Sequence, residues 1–131
     1  MTDRARIRLA ATVLDAPDAR ELAGFYRRLL GWEVAEDEAD WVVLRSPGGG
    51  AADGRAALSF QTERGYMPPV WPAGPGDPQM SMHLDFEVDD LDAATAQAVA
   101  AGAILAGFQP QDDVRVFLDP AGHPFCFFRP Y

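Results

Sequence analysis

The sequence predicts one α+β domain in which two βαβββ modules share a cup-shaped cleft. The first observation behind this prediction is an internal repeat. The segment that begins at Ala11 resembles the segment that begins at His83, with Asp18 falling on Asp90. The second is the order of apolar patterns, which gives a strand, a helix and three strands in each half. A chain of 131 residues is too short for two independent domains, so the copies should share one core.

Module 1 is predicted over about residues 5–63. A short apolar run over 7–14 predicts a buried strand that ends at a turn before Pro17. Asp18 stands where a helix N-cap should, and Gly31 stands where a helix should end, so we expect a helix over 19–30. Its apolar residues recur at helical spacing: Leu22, Phe25, Tyr26, Leu29 and Leu30. Three further strands are expected at 32–36, 41–46 and 56–62, with a glycine-rich hairpin loop before the last.

Residues 64–79 are predicted to connect the modules, because the prolines at 68, 69, 72, 75 and 78 exclude a central strand or an internal helix turn. Module 2 follows over about 80–131 and repeats the order of module 1. We expect its helix over 91–101 and its strands at 80–88, 104–108, 114–118 and 124–129. The predicted core includes Leu22, Phe25, Leu29, Leu84 and Phe86.

The strand predicted over 80–88 carries the functional argument. Its side chains alternate, so one face is apolar and the other holds Ser81, His83, Asp85 and Glu87. This polar face is either the solvated side of an antiparallel sheet or the lining of a cup. The internal repeat favours the cup, since two sheets related by pseudo-symmetry can close around a shared cleft.

Composition excludes several function classes. A net charge of −9 argues against nucleic acid as a partner, because binding to phosphate backbones needs clustered cations. All eleven basic residues are arginines, which excludes lysine Schiff-base chemistry. We expect no membrane span and no targeting segment, and therefore a cytoplasmic protein. The single cysteine, Cys126, agrees with a reducing compartment.

Three stretches carry a resemblance to a known family. They are FYRRLLGW from Phe25, HLDFEVDDLDAA from His83 and DPAGHPF from Asp119. Together with the paired modules, they resemble the glyoxalase, bleomycin-resistance and extradiol-dioxygenase group, the vicinal oxygen chelate superfamily. The resemblance covers almost all of the chain and is greatest to small glyoxalase-like proteins. It implies a cup that binds small ligands, and a homodimer.

The resemblance also implies four positions for a divalent metal, two in each module. In this sequence they fall on Ala11, Gln61, His83 and Cys126, of which only His83 keeps the usual residue type. We therefore expect no cofactor and no bound metal. The alternative is a divalent ion such as zinc held by His83, Gln61 and Cys126, with Asp85 as a substitute ligand.

Two functional classes follow from this reasoning. The first is a metal-free module that binds a small organic molecule, as drug-sequestering relatives do. The second is a metal-dependent lyase, isomerase or dioxygenase, in which His83 is the catalytic candidate. The predicted ligand-binding residues are Gln61, Trp71, Ser81, His83, Asp85 and Cys126. Trp71 is expected to act as a lid. The residues expected to supply aromatic and soft surface near the cup mouth are Trp41, Trp71, Tyr66, Met67 and Met80, with the core as the alternative place for Trp41 and Met80.

Overall fold

Two four-stranded sheets, one per module, form the frame of this computed structural model, which describes residues 4–47 and 57–130. The first sheet has the order β1-β4-β3-β2 and consists of β1 (Ala11–Ala16), β2 (Glu33–Glu38), β3 (Trp41–Arg45) and β4 (Ala57–Thr62). The second has the order β5-β8-β7-β6 and consists of β5 (Leu84–Glu87), β6 (Ile104–Leu105), β7 (Val114–Leu118) and β8 (Pro124–Phe128). In each sheet the first and last strands of the module run parallel and the other pairs are antiparallel. The predicted α+β fold with two βαβββ modules is confirmed.

Each module contributes one helix, and both helices have the predicted bounds. Helix α1 spans Ala19–Leu30 and helix α2 spans Leu91–Ala101. The side chain of Asp18 accepts hydrogen bonds from the first turn of α1, and Asp90 does the same for α2. Helix α1 ends at Gly31, whose φ of 71° is the left-handed conformation that favours glycine.

The core lies where α1 packs against both sheets. Tyr26 of α1 stacks on Phe60 of β4 and meets Phe125 of β8 edge to face. The predicted core residues of α1 are confirmed: Leu22, Phe25 and Leu29 are buried. Leu84 and Phe86 are partly buried and pack against the same cluster. One continuous cluster therefore joins the two modules.

The first strand was predicted at 7–14, and this is wrong at both ends. Strand β1 pairs with β4 from Ala11, opposite Ala57, to Ala16, opposite Thr62. Ile7, in the apolar run that suggested an earlier start, is 91% exposed. A strand is defined by its pairing, and here the partner strand sets the ends rather than the apolar run.

The fifth strand was predicted at 80–88, but β5 begins only at Leu84 and ends at Glu87. The reason is again the pairing, which joins Leu84 to Phe125 and Glu87 to Phe128. Residues 80–83 lie before the strand, and Met82 is 71% exposed instead of belonging to an apolar face. The segment is therefore available to line the space between the modules.

Smaller differences affect other ends. Strand β6 stops at Leu105 instead of residue 108, β2 runs over Glu33–Glu38 instead of 32–36, and β3 and β8 each end one residue early. The predicted loop between β3 and β4 falls largely on residues 48–56, which lie outside the described residues, and β4 is described from Ala57. Within the described residues, no helix combines the length and the apolar character needed to cross a membrane.

Candidate functional site

A cavity of about 430 Å³ lies between the two modules. Strand β1 forms one wall, the proline-rich connector covers a second side, and the segment that leads into β5 forms a third. Three of its lining residues are methionines, namely Met67, Met80 and Met82. Its polar lining residues include Asp15 and Glu63. This volume lies in the range of about 300–1,000 Å³ typical of small-molecule sites.

A smaller cavity of about 120 Å³ adjoins the first. Thr12, Leu14, Met82 and His123 line both cavities, so the two spaces form one cleft along β1. His83 lines the smaller cavity. The second module thus contributes histidines to both cavities: His123 lines both of them, and His83 lines the smaller one.

The imidazole of His123 ties this module to β1. Its Nε2 lies 2.6 Å from the backbone oxygen of Asp15 and 3.3 Å from the Tyr66 hydroxyl. A backbone carbonyl can only accept, so Nε2 carries the proton and donates it to Asp15. His123 therefore links the β7–β8 turn to β1 and also forms part of the cleft wall.

The connector is held by Tyr66, whose hydroxyl donates to the backbone oxygen of Ala121 at 2.7 Å. Burial, followed by the nearby charges of Asp119 and Asp15, raises the pKa of Tyr66 to about 12. The phenol is therefore a neutral donor at physiological pH. Nearby, Gly122 has a φ of 89°, and a Cβ there would lie 3.1 Å from the Pro68 Cβ. Only glycine lets the connector dock this closely on the turn.

The turn between β7 and β8 is organised by Asp119, which is 2% exposed. Its carboxylate accepts a hydrogen bond of 2.7 Å from the Tyr26 hydroxyl of α1 and bonds of 2.9 Å from the backbone N–H groups of Ala121 and His123. Burial raises the pKa of Asp119, against the opposing effects of His123 and of these hydrogen bonds. Sequence reasoning missed this residue. The available signal was Tyr26, a phenol on the buried face of a helix that needs a partner.

Gln61 and Asp15 form a partly buried cross-strand pair in the first sheet. They are register partners in the parallel pairing of β1 with β4. The Gln61 Nε2 donates to Oδ1 of Asp15 at 2.6 Å. This bond fixes the Asp15 carboxylate beside the larger cavity.

A second polar cluster lies on the sheet of module 2. The metal-ligating atoms of His83, Asp85 and Cys126 all lie within 4.8 Å of one another. His83 Nε2 is 3.1 Å from Oδ1 of Asp85, and Asp85 is the register partner of Cys126. Burial, then the charge of Asp85 and a hydrogen bond with it, raises the pKa of the Cys126 thiol to about 11. The thiol is protonated at neutral pH, which makes it a poor nucleophile.

The structure separates the six predicted ligand-binding residues into several places. Ser81 lines the larger cavity and His83 the smaller, whereas Gln61, Asp85 and Cys126 line neither of the two. Trp71 stacks on Phe108, with ring centroids 5.6 Å apart, and does not line these cavities either. Of the additional residues predicted near the cup mouth, Tyr66, Met67 and Met80 line the larger cavity, and Trp41 instead donates its indole N–H to Glu36.

Residues 11–128 match the model of a protein family described as the glyoxalase-like domain. The chain belongs to this family. The resemblance to the vicinal oxygen chelate superfamily is thereby confirmed. No curated protein sequence matches the chain.

Several solved structures share the fold. An enzyme of the glyoxalase/bleomycin-resistance/dioxygenase family from Burkholderia phytofirmans PsJN has a TM-score of 0.69 at 18% identity, with 94% of this chain and 98% of that chain covered. An antibiotic-binding protein from Streptomyces sp. CB03234 has a TM-score of 0.61 at 19% identity, with 98% and 100% covered. The oxidase ChaP-H2 has a TM-score of 0.63 at 23% identity, with 97% of each chain covered. Identities this low establish the fold alone.

The four metal positions implied by the superfamily do not form a ligand set in this glyoxalase-like chain. Ala11 has no donor atom, and the amide nitrogen of Gln61 donates to Asp15. His83 and Cys126 alone offer the nitrogen and sulfur atoms that zinc prefers, and both belong to module 2. The residues present therefore do not fit a metal shared between the two modules.

Proposed function

We propose that this glyoxalase-like protein binds a small organic molecule noncovalently in the cavity between its modules, without a metal. The observation that carries the proposal is the cavity of about 430 Å³, which combines apolar walls with a few fixed polar groups. The site centres on Tyr66, Ser81 and His123, and His83 extends it into the smaller cavity.

The walls suit a partly aromatic ligand. Met67, Met80 and Met82 offer flexible, polarisable surfaces, and Met67 and Met82 are each 71% exposed. Tyr66 is held in place by its hydrogen bond to Ala121 and presents a rigid aromatic ring. A ligand can therefore bury exposed methionine surface while it meets a wall that needs no ordering.

The comparisons support this class without defining the ligand. One structure with the same fold is an antibiotic-binding protein, and another is an oxidase. The loss of a two-module metal set in this chain favours the binding role over the catalytic one. A protein of this kind would act by sequestering its ligand, as a drug-binding protein does.

The proposal is tested with three acridine probes of similar shape: cationic 9-aminoacridine, neutral acridone and anionic acridine-9-carboxylate. We expect at least one to bind saturably, with a change in its own fluorescence. Ser81→Trp should abolish binding, because the indole would fill the cavity that Ser81 lines. The matched control is Ala100→Trp, which places the same ring on an exposed position of α2. Binding that survives Ser81→Trp would contradict the proposal.

A second candidate, metal-dependent chemistry, rests on one specific observation. His83, Asp85 and Cys126 form a three-donor cluster within module 2. Elemental analysis of protein purified without chelator decides between the candidates. A stoichiometric ion that is lost in His83→Ala would favour the enzyme, whereas we expect none.

The homodimer and the cytoplasmic location remain predictions. Light scattering of the purified protein tests the first, and a mass of one chain would contradict it. Fractionation of the native cells tests the second.

A further inference from the structure

We propose that the ligand of the intermodule cavity is an organic cation, with Asp15 as its charge partner and Gln61 as the residue that positions Asp15. This inference rests on the proposed function and narrows it to one chemical class. It follows from the charge of the cavity lining and from the geometry that fixes one of its carboxylates.

Two acidic residues line the cavity, and the one titratable base among its described lining residues is His123. Asp15 and Glu63 contribute carboxylates, whereas none of the described residues that line the cavity is an arginine and the chain has no lysine. Nε2 of His123 donates its hydrogen bond to the Asp15 backbone oxygen and not to a carboxylate oxygen. An anionic ligand would meet two carboxylates in this lining, and a cation would relieve their mutual repulsion.

Asp15 is the better placed of the two carboxylates. It is partly buried on β1, where charge interactions are stronger than at an exposed site, whereas Glu63 is exposed. The Gln61 Nε2 donates to Oδ1 of Asp15 at 2.6 Å, so the carboxylate is already oriented before a ligand binds. Such preorganisation lowers the entropic cost of binding.

Gln61 occupies the position where the superfamily resemblance implies a metal ligand of module 1. In this chain its amide nitrogen instead donates to Asp15, so the position serves an organic ligand through a neighbouring carboxylate. An amide is well suited to this role, because it can orient a carboxylate without adding charge.

Tyr66 adds an aromatic surface to the same cavity. Cations are attracted to the faces of aromatic rings, and the methionine sulfurs supply further polarisable contacts. A planar cation with delocalised charge therefore matches the apolar walls and the carboxylates together. The net charge of −9 also raises the rate at which cations meet the protein.

The test compares 9-aminoacridine with acridone, because the two probes differ in charge and have similar shapes. We expect the cation to bind at least about tenfold more tightly than the neutral probe, as a charge-assisted contact allows. The anionic acridine-9-carboxylate should bind more weakly than either. The ratio of the affinity for 9-aminoacridine to that for acridone should fall when NaCl is raised from about 50 to about 500 mM, because salt screens the charge interaction.

Three variants assign the preference to residues. Asp15→Asn should lower the ratio of cation to neutral affinity by about tenfold, because only the cation loses a charge partner. Gln61→Leu should lower the same ratio by about threefold, because the carboxylate remains and only its orientation is released. A merely structural role of Gln61 would change the affinities of both probes alike. The matched control Glu38→Gln removes an exposed carboxylate of β2 and should leave the ratio unchanged.

The outcomes separate this inference from the proposed function. Equal affinity for the cation and acridone, with both blocked by Ser81→Trp, would overturn the cation preference and leave the proposed function standing. An unchanged ratio in Asp15→Asn would overturn the role of Asp15. Binding that Ser81→Trp does not affect, or no binding of any probe, would overturn both proposals.

Discussion

The two modules share one strand order but use equivalent positions differently. The residue that follows the third strand is Ser46 in module 1 and Asp119 in module 2. Among the described residues, Ser46 Oγ is buried without a hydrogen-bond partner, whereas Asp119 accepts three hydrogen bonds, one of them from Tyr26 of the other module. At this position module 2 therefore forms a hydrogen bond that connects the modules, whereas module 1 does not.

The two helices also differ in how many residues they bury. Helix α1 buries six residues, among them Phe25 and Tyr26, whereas α2 buries only Ala98 and Ala101. The alanine-rich α2 lets its backbone lie close to α1, where Gln97 donates to the Leu29 oxygen. Module 1 therefore carries most of the core, whereas module 2 supplies Asp119 and His123, which connect the β7–β8 turn to module 1.

The helix comparison gives the largest expected effect. Leu22→Ala should lower the free energy of unfolding by about 2–5 kcal/mol, because Leu22 is 1% exposed and its loss leaves a cavity. The matched change in α2, Val99→Ala, should cost less than about 1 kcal/mol, since Val99 is 51% exposed. Urea denaturation measures both. Similar losses in the two variants would show that the helices contribute equally.

The joint between modules gives the next largest effect. Asp119→Ala should cost about 1–3 kcal/mol in unfolding free energy, because it leaves the Tyr26 hydroxyl and two backbone N–H groups without their acceptor. Ser46→Ala, the equivalent change in module 1, should be neutral within about 0.5 kcal/mol. A loss for Ser46→Ala as large as that for Asp119→Ala would contradict the asymmetry.

The hydrogen bond between Tyr66 and Ala121 should make the stability of the protein depend on pH. Tyr66→Phe should cost about 0.5–1.5 kcal/mol near neutral pH, because it removes the hydrogen bond to the Ala121 oxygen. Since the folded-state pKa of Tyr66 is raised from 10.0 to about 12, the unfolded phenol ionises first and stability falls as pH rises through this interval. The Phe variant should show a shallower fall. If the unfolding free energies of the unmodified protein and of Tyr66→Phe fall in parallel above pH 10, the pKa of Tyr66 is not raised by folding.

The last comparison concerns reactivity instead of stability, at the thiol of module 2. Because the pKa of Cys126 is raised to about 11, its alkylation by iodoacetamide at pH 8 should be about 100-fold slower in the folded protein than in urea. Asp85→Asn should raise the folded-state rate several-fold by removing the nearby charge and hydrogen bond. Glu87→Gln, on the same strand, is the control. Equal alkylation rates in the folded protein and in urea would show that folding does not raise the pKa of Cys126.

The helices could be predicted to the residue, because their signals are local. Asp18 and Asp90 cap their N-termini, and Gly31 and Gly102 end them. Strand ends could not be predicted in this way, since they depend on pairing with residues distant in the chain. Leu84, for example, begins β5 only because Phe125 is its partner.

The site could be predicted only in part. Side-chain alternation and composition indicated Ser81, His83 and the methionines, and the cavities include them. The contacts that fix the cleft join residues far apart, such as Asp15 with His123 and Tyr26 with Asp119. Neither periodicity nor motif spacing reports such pairs. The stacking of Trp71 on Phe108 likewise depends on where two loops meet, and no local signal indicated it.

Methyl NMR can show whether the ligand binds in the intermodule cavity. Protein labelled with ¹³C-methyl methionine is titrated with 9-aminoacridine, and signals are assigned by single Met→Leu substitutions. We expect the signals of Met67, Met80 and Met82, which line the cavity, to shift together and to saturate with one affinity. Saturable binding of 9-aminoacridine that leaves these three signals unmoved would contradict it.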